Sequence, residues 1–361
     1  MDARPRILIV GARGIRGNEG GVEKFAEEFV RRVAGSCRVT VLSLSDRKPE
    51  DLGNVELVLA PRSKAMRTDK IFYYILAAWI CLTRTFSHIM LLGLNSAMLL
   101  LPLRLLFWRQ VNVVVRSGSV DYLSKKWGFF SKLHFKQAEG LLRLADLVVA
   151  VAPNIQRHLA KRGIRSVLIR NGLSFTSVPR PISERERRHV IAVGRVTSDK
   201  NYELLVKAGQ LLRDRGVSVS VSIIGGADLS DESARLRALM AEIGVDNVGF
   251  AGVMDRDHVL KRLSTASLFV NCSIREGMSN SVLEAVEQGT PVLLSDIEAN
   301  RDLELPEACY FDPLSPTDLA TKIEAALEAP LNFLVDRKHF EDWNEVIEKY
   351  RHYMDLPPAS L

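Results

Sequence analysis

Short apolar runs alternate along this chain with longer stretches whose apolar residues recur every three or four positions. A short apolar run bounded by turn residues reads as a buried strand, and the longer period reads as an amphipathic helix. Strands are expected over residues 6–11, 38–44, 55–59, 88–92, 111–115, 146–151 and 166–169. Helices are expected between them over 22–33, 69–82, 97–107, 129–144 and 153–162. In the first helix Phe25, Phe29, Val30 and Val33 share one face. The pattern restarts near residue 189. Strands follow at 189–194, 217–224, 248–250, 268–272 and 291–294, with helices at 202–213, 232–243, 257–263 and 316–327 and a last one at 339–353. Strict strand–helix alternation predicts parallel, doubly wound α/β sheets, and the restart predicts two of them. Asn171-Gly172, Pro179, Pro181 and the charged run 184–188 read as the linker. The domains are therefore expected at 1–178 and 189–335, with a terminal segment at 336–361.

At 361 residues the chain is long enough for two ordinary domains. Its net charge of +6 hides a division: residues 1–180 carry +16 and residues 181–361 carry −10. Such a split points the first half at an anionic surface, nucleic acid or membrane. No recognition module for nucleic acid is visible, and none is expected as a partner. Apolar and basic residues mix from Lys64 to Trp127, with Trp79, Trp108 and Trp127 among them. The most apolar stretch, 89–108, is broken by Asn95, Ser96, Pro102 and Arg104, so it reads as strand plus helix and not as a membrane span. Cys37, Cys81, Cys272 and Cys309 are scattered, and Met1-Asp-Ala-Arg-Pro-Arg6 opens without an apolar leader. Both features fit a cytoplasmic location.

Candidate chemistry gathers in residues 273–292. The turn Glu276-Gly-Met-Ser-Asn280 follows a strand, Ser279 or Asn280 can cap a helix, and Gly289 ends it. A helix starting just past a strand's carboxyl end offers N–H donors and a positive dipole end to a phosphorylated ligand. Glu276 and Glu284 bracket the turn, and carboxylates suit sugar hydroxyls. Arg195 and Lys200 sit on one strand-end loop. In the first half, Gly20-Gly21 allows backbone to approach a ligand at a helix start. The loop 11–23 matches neither G-x-G-x-x-G nor a P-loop, which speaks against a nicotinamide-dependent oxidoreductase. The sole Asp-x-Asp, Asp255-Arg-Asp257, reads as a helix cap, and no metal-ligand cluster is visible.

The string Arg275-Glu-Gly-Met-Ser-Asn-Ser-Val-Leu-Glu-Ala-Val-Glu-Gln-Gly-Thr-Pro-Val292 resembles the Glu-x7-Glu signature of retaining GT-B glycosyltransferases of family 4. The loop Gly11–Glu23, Gly194-Arg195…Lys200, Gly225-Gly226 and Phe311-Asp-Pro313 resemble the same family at corresponding places. The resemblance implies two Rossmann-like domains facing a cleft, with the last helix crossing back onto the first. It implies transfer of a hexose or deoxyhexose from a nucleotide-diphosphate sugar to a glycan, lipid-linked acceptor, in polysaccharide assembly at the inner face of the plasma membrane. Arg195 and Lys200 would clamp the diphosphate, Glu276 would hold the donor sugar and Glu284 the ribose. Gly20, Gly21, Gly194, Gly277, Met278, Ser279 and Asn280 would complete the donor site without a metal cofactor. The loop 116–122 lacks the histidine many members carry. Asp121 is the candidate in its place, beside Arg116 and Glu23 as acceptor contacts, and Lys125, Lys126 and Trp127 could meet a lipid. The alternative within the same fold is an inactive relative serving as a partner subunit.

Overall fold

The computed structural model describes residues 4–15, 20–44, 55–61, 69–106, 110–118, 128–175, 178–226 and 232–358. The chain forms two compact units, Met1–Asn171 with Trp343–Leu361, and Gly172–Asp342.

The first unit is built on β1 (Arg6–Val10), β2 (Arg38–Ser43), β3 (Glu56–Leu59), β4 (His88–Leu92), β5 (Asn112–Ser117), β6 (Leu147–Ala150) and β7 (Val167–Leu168). They pair in parallel in the order β3-β2-β1-β4-β5-β6-β7. The helices are α1 (Gly21–Val33), α2 (Asp69–Thr83), α3 (Leu100–Leu106), α4 (Phe129–Leu141) and α5 (Pro153–Lys161). Gly11 ends β1 at φ 110°, and a Cβ there would lie 2.1 Å from the carbonyl oxygen of Leu92, so only glycine fits beside the end of β4. The second unit holds β8 (His189–Val193), β9 (Ser220–Ile224), β10 (Val248–Gly252), β11 (Leu268–Asn271), β12 (Val292–Ser295) and β13 (Tyr310–Phe311), again parallel, in the order β10-β9-β8-β11-β12-β13. Its helices are α6 (Tyr202–Asp214), α7 (Glu232–Glu242), α8 (Arg256–Thr265), α9 (Asn280–Glu287), α10 (Glu298–Arg301) and α11 (Pro316–Glu328).

The last helix, α12 (Trp343–Tyr353), belongs to the first unit. Its Tyr350 ring lies 5.0 Å from Phe25 and 5.8 Å edge-on to Phe29, and Trp343 sits 6.3 Å from Phe25. These are the separations at which aromatic pairs attract beyond their area burial. Arg351 donates to the Arg32 carbonyl at 2.6 Å and to the Ser36 hydroxyl at 3.0 Å, satisfying the carboxyl end of α1.

Three expectations need correction. The apolar segment after β4 is not one helix over 97–107: a 3₁₀ turn spans Leu94–Leu99 and α3 begins only at Leu100. Pro102, having no N–H to donate, falls within the first turn, where none is needed. Arg116 does not open a loop but lies inside β5. Finally, the charged run 184–188 is not a free linker, and the units divide at Asn171/Gly172. Arg185 is buried, and its guanidinium donates to the carbonyls of Leu263 (3.2 Å), Ala266 (3.1 Å), Gln288 (2.8 Å) and Gly289 (2.8 Å). It closes the carboxyl ends of α8 and α9 together. Burial, aided by Arg180, lowers its pKa to about 10, so it stays charged at neutral pH. A run of charges looks solvated in sequence, yet one of them serves orphan carbonyls inside the second unit.

Candidate active site

In the second unit the chain order reverses between the neighbouring strands β8 and β11. The loops at their carboxyl ends diverge there and leave a crevice, the place where open α/β sheets bind ligands. Backbone bonds fix these loops to one another. Gly194 N–H donates to the Ile224 carbonyl at 2.9 Å, Val196 N–H to Gly226 at 2.9 Å, and Ile274 N–H to Asp199 at 2.9 Å. Gly225, at φ 153°, must be glycine: a Cβ would stand 1.9 Å from the Gly194 carbonyl oxygen. Close backbone contact thus joins the ends of β8 and β9, and the loop after β11 rests on the loop after β8.

On this frame Lys200 Nζ meets Glu276 Oε1 at 2.5 Å. Glu276 Oε1 also accepts the Ser273 hydroxyl at 2.7 Å and a long contact from Asn271 Nδ2 at 3.5 Å. Burial alone would raise the Glu276 pKa. The Lys200 charge and the hydrogen bonds from Lys200, Ser273 and Asn271 outweigh it and hold the carboxyl below its ordinary range. Glu276 is therefore ionised at neutral pH. Arg195 is exposed at the carboxyl end of β8, and Asp199 and Arg275 pair at 3.8 Å beside it along the loops.

Gly277 and Met278 carry the chain into α9. Ser279 stands at the N-cap, but its side chain makes no capping bond. Its hydroxyl instead accepts from Asn271 at 3.3 Å and bonds the Ser281 hydroxyl at 3.1 Å. Asn280 is the first helical residue, so the positive end of the α9 dipole opens at the same strand ends as Lys200. Glu284, one turn in, pairs with Arg256 at 3.5 Å. Asp255 caps α8 through His258 N–H at 2.9 Å, the role expected of it. Among the described residues no group of three or more His, Cys, Asp or Glu side chains converges to hold a metal ion.

Sequence reasoning overlooked the supports of Glu276. Ser273 was available as a signal, three residues before the glutamate and directly after the strand. Asn271 inside β11 gave none, because its apolar neighbours mark it only as strand. Nor did spacing reveal the Arg256–Glu284 pair.

In the first unit Gly20 is the N-cap of α1 and Gly21 its first residue. Glu23 turns back and accepts the Arg13 N–H at 3.2 Å through Oε1. Arg116 is only 3 % exposed. Its guanidinium lies 4.0 Å over the Phe25 ring and donates to Asn171 Oδ1. Burial lowers its pKa, with the Tyr350 hydroxyl pushing the other way. Its side chain faces the core. Asp121, Lys125, Lys126 and Trp127 lie outside the described residues.

Comparison with known proteins places this geometry. Residues 19–176 match the family model for Glycosyltransferase Family 4, and residues 178–347 match that for Glycosyl transferases group 1. An uncharacterised glycosyltransferase of Methanocaldococcus jannaschii is 21% identical over 55% of the chain and 52% of its own length. The putative glycosyltransferase EpsF of Bacillus subtilis is 32% identical over 29% of the chain and 26% of its own. The matches thus span about half or less of these curated relatives. Among solved structures, sucrose-phosphate synthase of Thermosynechococcus elongatus superposes with a TM-score of 0.81 at 19% identity, covering 98% of this chain and 100% of that one. HepE of Anabaena, in complex with UDP and glucose, gives 0.78 at 16% identity, with 98% and 100% covered. At such identities the structural likeness is one of fold.

Proposed function

The chain belongs to the family 4 GT-B glycosyltransferases, and on that premise we propose that it transfers a hexose or deoxyhexose from a nucleotide-diphosphate sugar to a glycan acceptor, with retention of anomeric configuration. The observation that carries the reading is the Lys200–Glu276 pair at the switch point of the second unit. An ammonium has three donors, and the pair with Glu276 engages one of them. The others can meet a diphosphate oxygen, while Arg195 brings a planar fork to the same ligand. Glu276, kept ionised, accepts hydrogen bonds from hydroxyls of the donor sugar, and Glu284 from those of the ribose.

In the proposed reaction the bond between the anomeric carbon and the phosphate oxygen breaks, and the electron pair leaves with the nucleoside diphosphate. Lys200, Arg195 and the N-terminus of α9 stabilise the charge that grows there. The acceptor hydroxyl forms the new bond on the same face. Its proton passes to the departing phosphate oxygen, so no protein base is required.

Because HepE was solved with UDP and glucose, UDP-hexoses are the first donors to test. The charge of the first half supports a lipid-linked acceptor reached at an anionic membrane face. Incubating the protein with UDP, GDP and dTDP sugars and a lipid-linked glycan should release the nucleoside diphosphate and yield a product of unchanged anomeric configuration by NMR. No turnover with any donor would overturn the assignment, and an inverted product would overturn the mechanism alone.

A further inference from the structure

In the first unit α2 is apolar on every side. Tyr73, Ala77, Ile80 and Cys81 are buried, as the core-facing stripe of a helix should be. Phe72, Ile75, Trp79 and Leu82, at spacings of three, four and three, form a second stripe on the opposite side, and all four are exposed, Trp79 to 56 %. No charged residue occurs in α2 after Lys70. A helix hydrophobic all round is ordinarily covered on all sides.

The neighbouring helix is apolar on its outer side too. α3 packs against α2, and its single charge, Arg104, points inward. The Arg104 guanidinium is 7 % exposed and donates to the carbonyls of Leu144 (2.7 Å) and Val111 (3.2 Å) and to Asp146. That leaves Leu101, Leu105 and Leu106 facing out, Leu105 to 76 %. The 3₁₀ turn Leu94–Leu99 joins α2 to α4, where Leu133 is exposed between the exposed Lys132 and Lys136. A water-facing helix pair would place its charge outside. Here Leu100 and Leu103 face the core as expected, but Arg104 is buried with them and the outer side carries only further leucines.

We propose that the outer face of α2 and α3 seats in the interfacial layer of an anionic phospholipid bilayer, with Phe72, Ile75, Trp79 and Leu105 entering the acyl boundary. The inference rests on the membrane reading above and deepens it by naming the surface. Charge complementarity selects lipid over a second copy of this chain: residues 1–180 carry +16, which attracts anionic headgroups and repels an identical face. Aromatic residues favour the headgroup level. The helix lies in the interface because no helix among the described residues is long and apolar enough to cross a membrane.

The full chain should be sedimented with vesicles of phosphatidylglycerol and phosphatidylcholine, and with phosphatidylcholine alone. Binding is expected to the anionic vesicles, weakened by high salt. Ile75→Ser with Trp79→Ser should lower the partition coefficient by about 10- to 100-fold, given the apolar area each side chain buries. Trp79→Phe should retain binding but reduce the quenching of tryptophan fluorescence by brominated lipid, by the share that Trp79 contributes. Nucleotide binding and the melting temperature, read in the same variants, report folding separately. If the double serine variant sediments like the wild type, the named face is wrong while the membrane reading survives. If the wild type ignores anionic vesicles at low salt, both fall, whereas donor turnover stays testable with a soluble acceptor. A concentration-dependent dimer in the absence of lipid, lost in the serine variant, would overturn the bilayer in favour of self-association.

Discussion

The two sheets share one plan, yet they treat a basic residue at the strand ends in opposite ways. In the second unit the loops after β8 and β11 carry Arg195 to the surface and Lys200 to a half-buried pair with Glu276. In the first, the carboxyl end of β5 turns Arg116 inward onto Phe25 and Asn171. Topology marks the same kind of crevice in both sheets. Burial then decides which cation can reach a ligand. A guanidinium that already has an aromatic face and an amide oxygen is held for the fold, and a loop lysine balanced by one carboxylate retains donors for chemistry.

The sharpest way to break this contrast is to remove each cation in turn. Lys200→Ala and Arg195→Ala should each lower kcat by about 10²-fold or more, the order seen when one transition-state donor is lost, with melting temperatures near the wild type. Wild-type turnover in both variants would erase the functional half of the comparison. Arg116→Ala should do the opposite. It removes a donor to Asn171 Oδ1 and leaves a void against Phe25, costing about 3 kcal/mol in urea unfolding. Arg116→Lys should recover little of this, since an ammonium cannot lie flat on the ring. Full stability in Arg116→Ala would show that the buried guanidinium is not a structural element.

Arg185 refines the point within the second unit. Arg185→Ala strips donors from the ends of α8 and α9 and should cost about 2–3 kcal/mol, near the value for hydrogen bonds to charged groups. Donor affinity measured below the melting transition should hold. A collapse of affinity without loss of stability would move Arg185 from the fold to the site.

The smallest expected effect tests whether both sheets respond alike to acid. His88 in β4 and His189 in β8 are buried, and burial lowers both pKa values. Around His88 stand the Ser87 hydroxyl, the Met354 carbonyl and Asp355; His189 faces Ser222, Glu186 and Arg262. Below about pH 6.5 the unfolded chain takes protons that the folded histidines refuse, so stability falls as pH drops and levels off below the folded pKa values. A melting temperature unchanged between about pH 7.5 and about pH 5.5 would contradict this, and His88→Gln should remove the first unit's share of the slope.

Periodicity determined the parallel two-sheet architecture, because strand and helix periods are local properties of the residues. The strand over His88–Leu92 and the helix ending at Gly289 stand where the pattern puts them. The strand-end motif around Glu276 was legible as well, since a turn, a cap position and two carboxylates lie within one short stretch. Sequence did not reveal which charges are buried. Arg104, Arg116 and Arg185 each sit among residues that read as helix, loop and linker, and each is taken inside by partners far along the chain: Asp146 for the first, Asn171 for the second, Gln288 and Gly289 for the third. The pairing of Lys200 with Glu276 and the outward turn of the α2 stripe belong to the same class. A hydrophobic pattern reports how often a face is apolar. Only the packed structure reports what that face meets, because burial depends on which distant segments arrive there.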